Sequence, residues 1–119
     1  MSKKILICDD EAGVHESLKL ILADFYELIL VNDGGQCLDT LDNARDVGLV
    51  LLDIKMPDVN GLEILKRIKE KHPDMKVIMI TGYKSVETAG EATSLGAAGY
   101  IVKPFESKTI MAVVQKALQ

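Results

Sequence analysis

The chain has 119 residues, 48% of them apolar and 27% charged, with a formal net charge of −4. Over residues 1–119 this suits one globular domain with a single substantial core, and the acidic balance speaks against a nucleic-acid-binding surface. No apolar run approaches the roughly 18 residues of a membrane span, and Met1-Ser2-Lys3-Lys4 leads into only Ile5 to Cys8, too short for the apolar region of an export signal.

In chain order, five short runs are apolar on both alternations, at 5–8, 28–31, 49–52, 77–80 and 100–102. Such runs predict strands covered on both faces, as in a parallel sheet. Helical patterns lie between them. Val14, Leu18, Ile21, Leu22 and Phe25 form one stripe at i, i+4, i+7, i+8 and i+11. Shorter stripes follow, with Cys37, Leu38, Leu41 and Ala44 in the second helix and Leu62, Ile64, Leu65 and Ile68 in the third. Ile110, Val113, Val114, Ala117 and Leu118 close the chain. Strand and helix alternate five times, which makes the class α/β with right-handed crossovers.

The fourth helix differs from the rest. Ser85 is a good N-cap, but the expected inner face of Val86, Ala89, Gly90 and Thr93 buries little apolar area. Gly90 also costs roughly 1 kcal/mol against alanine. This helix is expected to be anchored loosely enough to move. Cys8 and Cys37 fall in a strand and a helix pattern and read as reduced, buried thiols. A bacterial-type cytoplasm suits these features.

The chemistry lies where the apolar runs stop. In an open α/β sheet, ligands gather outside the carboxyl ends of the strands. The first run is followed by Asp9, Asp10 and Glu11, the third by Asp53, the fourth by Thr81 and Gly82, and the fifth by Lys103 and Pro104. The second ends at Asn32-Asp33, which an edge strand would keep away from the centre. A carboxylate at the tip of a core strand is costly to desolvate, yet it presents a reactive oxygen at the rim. Asp53 is therefore read as a nucleophile for phosphoryl transfer. Two carboxylates about 5 Å apart repel by roughly 3 kcal/mol at an effective dielectric near 20. Asp9, Asp10 and Asp53 thus call for a hard divalent cation, Mg²⁺ or Mn²⁺. With Lys103 the charges balance, and Thr81 can donate its hydroxyl to a phosphoryl oxygen.

Asp9-Asp10, Asp53 with the Met-Pro-Asp-Val-Asn-Gly turn of 56–61, Thr81-Gly82, Tyr100 and Lys103-Pro104-Phe105 together resemble the receiver domain of two-component response regulators. The resemblance covers the whole chain in order. It implies a flavodoxin-like (βα)5 three-layer sandwich with strands in the order 2-1-3-4-5. Asp53 would accept a phosphoryl group from the phosphohistidine of a sensor kinase, without the chain being a dedicated enzyme. Asp9, Asp10, Asp53 and the backbone carbonyl of Lys55 would hold Mg²⁺. Lys103 and Thr81 would contact the phosphoryl group, and Lys103-Pro104 would be cis. Thr81 and Tyr100 would then switch the surface of the fourth helix, fifth strand and fifth helix. Lys55 and Tyr83 lie two residues beyond Asp53 and Thr81, where bulk shields against water, so a long-lived phosphoryl group is expected.

The block from Thr81 to Ala89 is similar to receivers that open sigma-54-dependent transcription activators, which implies an effector domain downstream. A stand-alone receiver is the other possibility, and dimerisation through the fourth and fifth helices is open. Kinase docking on the first helix could use Val14, His15 and Leu18. His15 otherwise reads as solvent-facing, His72 as a helix-end cap, and Lys66, Arg67, Lys69, Glu70 and Lys71 as a solvated face.

Three other readings compete. A phosphatase of the haloacid-dehalogenase type needs a second acid two residues after its nucleophile, where this chain has Lys55; Glu11 after Asp9 is a partial match. A flavin-binding flavodoxin would need a Ser/Thr/Gly-rich first loop, whereas Asp9-Asp10-Glu11 would repel phosphate. A receiver-like module that binds partners without phosphorylation would not need the intact set of acids, Thr81 and Lys103.

Overall fold

The computed structural model describes residues 3–119. Met1 and Ser2, which entered the export-signal expectation, lie outside the described residues. Strand and helix alternate through β1 (Lys4–Cys8), α1 (Ala12–Leu22), β2 (Glu27–Val31), α2 (Gly34–Asn43), β3 (Val47–Leu52), α3 (Gly61–Lys71), β4 (Lys76–Thr81), α4 (Val86–Ser94), β5 (Gly99–Val102) and α5 (Ser107–Ala117). All neighbours pair in parallel, in the order β2-β1-β3-β4-β5.

The unbroken apolar runs have their cause in two cores, one on each face of the sheet. Leu6, Cys8, Val50, Leu52, Val77 and Met79 face α2 and α3, where Cys37, Leu41, Ile64, Leu65 and Ile68 meet them. Ile5, Ile7, Leu49, Leu51, Ile78 and Ile80 face Leu18 and Leu22 of α1 and Ile110 and Val114 of α5. Alternate residues of one strand thus feed opposite cores. The edge strands β2 and β5 depart from the expectation of full cover, since Leu28, Ile29, Leu30, Tyr100 and Val102 are only half-buried. Cys8 and Cys37 are free and buried. Burial first, and then the neighbouring Cys37, push the Cys8 thiol well above its ordinary range.

Leu18, offered for kinase docking, is 1% exposed and belongs to the core instead. Four further readings need correction. Phe25 is 67% exposed because α1 has ended at Leu22, so the stripe loses its last member. His15 is half-buried rather than solvent-facing, with its Nε2 covered and unpartnered. Lys69 leaves the solvated face, its ammonium donating to the Met75 carbonyl at 2.9 Å. The fourth correction concerns α4. Ser85 does cap it, accepting from Glu87 and Thr88, but its buried residue is Ala92. Val86 is 87% exposed, and Gly90 and Thr93 face outward.

The anchoring of α4 is nonetheless slight, because one alanine and the half-buried Thr88, Ala89 and Leu95 replace the Leu/Ile faces of the other helices. Nothing lies within 4 Å of a Cβ built at Gly90. Gly90→Ala is therefore expected to raise stability by roughly 0.5–1 kcal/mol, read from denaturant unfolding. A loss of stability would mean that this outward face is packed after all.

Candidate functional site

The sheet register creates the site. Cys8 pairs with Leu52, Leu52 with Met79, and Thr81 with Val102. The residues one step beyond β1, β3 and β5 are Asp9, Asp53 and Lys103, and parallel pairing delivers them to one rim. Backbone bonds fix the two flanking pairs: Asp53 N–H donates to the Cys8 carbonyl at 3.0 Å, and Lys103 N–H to that of Thr81 at 2.8 Å.

Asp9 and Asp53 are 2% and 3% exposed, and Thr81 is fully buried. The Lys103 ammonium sits among the acids, 2.8 Å from Asp9 Oδ2, 2.8 Å from Glu11 Oε1 and 3.1 Å from Asp53 Oδ2. Backbone amides hold the other carboxylate oxygens. Ile54 N–H donates to Asp53 Oδ1 at 2.7 Å, and Glu11 N–H to Asp9 Oδ1 at 2.9 Å. Burial, the largest influence, holds the Asp9 carboxyl above its ordinary range even though Lys103 and the Glu11 amide pull the other way. Burial also works against the Lys103 ammonium, but Asp9, Glu11 and Asp53 override it and hold its pKa well above the ordinary lysine value.

One carboxylate oxygen each of Asp9, Asp10, Glu11 and Asp53 lies within 4.8 Å of the others. Clustered hard oxygen donors, two of them on exposed residues that leave room for water, fit Mg²⁺ or Mn²⁺. A cleft of about 380 Å³ opens beside them, lined by Glu11, Asp53, Lys55, Thr81, Gly82, Tyr83 and Lys103. Thr81 Oγ1 accepts from Tyr83 N–H at 3.3 Å, and the Tyr100 hydroxyl donates to the Tyr83 carbonyl at 2.8 Å. The Tyr83 backbone is thus held at its N–H and at its carbonyl by the two side chains expected to switch. The peptide bond between Lys103 and Pro104 is cis.

Residues 5–115 match the response regulator receiver domain as a family. The chain belongs to that family. This receiver is 37% identical over 115 residues to the transcriptional regulatory protein ZraR of Escherichia coli O157:H7, covering 96% of its own length and 26% of ZraR. It is also 37% identical to sporulation initiation phosphotransferase F of Bacillus subtilis, covering 99% of itself and 95% of that protein. A CheY-like receiver domain protein from Methanospirillum hungatei superimposes with a TM-score of 0.93 at 35% identity, over 99% of this receiver and 94% of that chain. The receiver therefore spans about a quarter of ZraR but nearly all of the phosphotransferase. Among the described residues no helix is long and apolar enough to cross a membrane.

Two residues near the site went unassigned from the sequence. Glu11 was visible in the acidic run, but nothing local says that its carboxylate reaches across to Lys103. Asp58 accepts from Gly34 N–H and Gly35 N–H at 3.0 Å each, so the loop after Asp53 supplies two of the three capping bonds of α2. Asp33 supplies the third through Gln36 N–H. The amides, Gly34 foremost, hold the Asp58 carboxyl below its ordinary range. The available signal was an acid within a Pro-Asp-x-Asn-Gly turn.

Proposed function

We propose that Asp53 accepts a phosphoryl group from the phosphohistidine of a sensor kinase in an Mg²⁺-dependent step, and that the resulting aspartyl phosphate switches the α4–β5–α5 surface. The observation that carries this reading is the Lys103 ammonium within 3.1 Å of Asp53 Oδ2, beside a cleft that Thr81 also lines. A carboxylate oxygen of Asp53 forms the new bond to phosphorus as the bond from phosphorus to the imidazole nitrogen breaks. The imidazole leaves with the electron pair and takes up a proton from solvent. Lys103 supplies positive charge and Thr81 a hydroxyl for the phosphoryl oxygens, which is the positioning and neutralisation that such transfers require.

Asp9, Asp10, Asp53 and the Lys55 backbone carbonyl would hold Mg²⁺ or Mn²⁺, whose role is to offset carboxylate and phosphoryl charge. The new group adds a charge of about −1.5 to −2, taking the value for phosphorylated hydroxyls. Thr81 turning toward it would give up the Tyr83 amide, and Tyr100 would follow through its bond to the same residue. The slightly anchored α4 is the element such a bias can shift. Lys55 and Tyr83 line the cleft, in keeping with a long phosphoryl lifetime. An effector domain that regulates transcription, reached through α4 and α5, suits relatives such as the transcriptional regulatory protein ZraR. A cytoplasmic location suits a soluble kinase partner domain.

Incubation with acetyl phosphate and Mg²⁺ tests the reading by intact mass. Wild type is expected to gain one phosphoryl group, and Asp53→Asn to gain none. An adduct of equal yield in Asp53→Asn removes Asp53 from the role.

A further inference from the structure

The Lys103 ammonium has three N–H donors and faces three carboxylates: it donates to Glu11 Oε1 at 2.8 Å and Asp53 Oδ2 at 3.1 Å and is ion-paired with Asp9 Oδ2 at 2.8 Å, so an incoming acceptor must displace one of them. Asp9 and Asp53 are buried at the tips of β1 and β3 and cannot withdraw. Glu11 can, since its side chain is 60% exposed. It also stands at the N-cap of α1, where a short Ser, Thr, Asp or Asn would close the first turn. No side-chain cap bond forms there, because the Glu11 carboxylate is turned to Lys103 instead. Glu11 lines the same cleft as Asp53, Thr81 and Gly82.

We propose that Glu11 is a positioning residue that competes with the incoming phosphoryl group for Lys103, holding the ammonium donor that this group must take. The inference rests on phosphorylation of Asp53. A phosphoryl oxygen needs a donor from Lys103, and the water-exposed Glu11 carboxylate is the acceptor displaced with least disturbance. Its negative charge also opposes the approaching anion. Glu11 therefore weakens the binding of phosphoryl-like anions while leaving the nucleophile itself untouched.

The test uses the full chain at saturating Mg²⁺, with beryllofluoride as the probe of anion affinity and intact mass after acetyl phosphate as the measure of transfer. Glu11→Ala is expected to bind beryllofluoride roughly two- to fivefold more tightly, the range an exposed ion pair commands. The acetyl phosphate concentration that gives half-maximal phosphorylation should fall alongside. Glu11→Asp keeps the charge but is one methylene short of Lys103, so it should fall between alanine and wild type. With no metal present, Lys103 of Glu11→Ala should also react faster with an acetylating reagent, read by peptide mass. Unchanged or weaker beryllofluoride binding by Glu11→Ala overturns the proposal, as does a Glu11→Asp chain that behaves like wild type. A folded wild type that takes neither beryllofluoride nor a phosphoryl group overturns the Asp53 reading and this one together. Normal uptake by wild type with indifferent Glu11 variants overturns this one alone.

Discussion

Gly61→Ala is expected to destabilise the protein by about 3 kcal/mol, at the upper end of what overpacking costs. A Cβ at position 61 would overlap the carbonyl oxygen of Asp53 and stand 2.7 Å from Ile54 Cα. Those are backbone atoms, so no side-chain rotation relieves the clash. The helix cannot easily back away either. Ile64, Leu65 and Ile68 lock α3 into the core, and Gly61 N–H donates to the Ile54 carbonyl at 2.7 Å. Helix propensity alone gives the opposite sign, since alanine is favoured over glycine by roughly 1 kcal/mol. Denaturant unfolding decides between them. The strain falls on the Asp53 backbone, so phosphorylation by acetyl phosphate should also drop by about tenfold or more, because misplacement of reacting groups is costly in rate. A variant as stable as wild type would mean that α3 does not need its close approach to the strand tip.

Much of this architecture was legible because it obeys local rules. Strands buried on both faces must be apolar at every position, and the runs ending at Cys8, Leu52 and Ile80 announce that directly. The gathering of Asp9, Asp53 and Lys103 at one rim follows once those strands are parallel. The face of α4 did not follow. Its apolar residues are so small that no stripe stands out, and Val86, the largest of them, is 87% exposed at the first turn. Phe25 misled for a different reason, since spacing cannot show that a helix has stopped three residues earlier. Glu11 and Asp58 act across 92 and 24 residues of sequence, to Lys103 and Gly34 respectively. Contacts of that range depend on tertiary placement and leave no periodic trace.

Lys103→Met, without divalent ions, is expected to cost about 3 kcal/mol, the scale of breaking a buried ion pair by removing one partner. Asp9 and Asp53 would then be left buried with amide donors and no cation. The pH dependence carries the sign of the effect. Burial already raises the Asp9 carboxyl above the ordinary 3.8 with the lysine present, so its ionised form is disfavoured in the folded state. A raised carboxyl destabilises fully above its folded pKa, and that penalty is relieved as pH falls through this value toward 3.8. Removing the ammonium raises the carboxyl further. Stability of Lys103→Met relative to wild type should therefore recover on mild acidification from neutral pH. Wild-type Lys103, its own pKa held high, stays charged across that whole range. Adding Asp9→Asn to Lys103→Met should return much of the lost stability at neutral pH, because it deletes one unpaired charge while keeping an oxygen for the Glu11 amide. Mg²⁺ should do the same for the single variant by binding only the folded state. A Lys103→Met chain as stable as wild type, with no recovery on acidification, would show that the two carboxylates at the rim are neutralised by something other than this lysine.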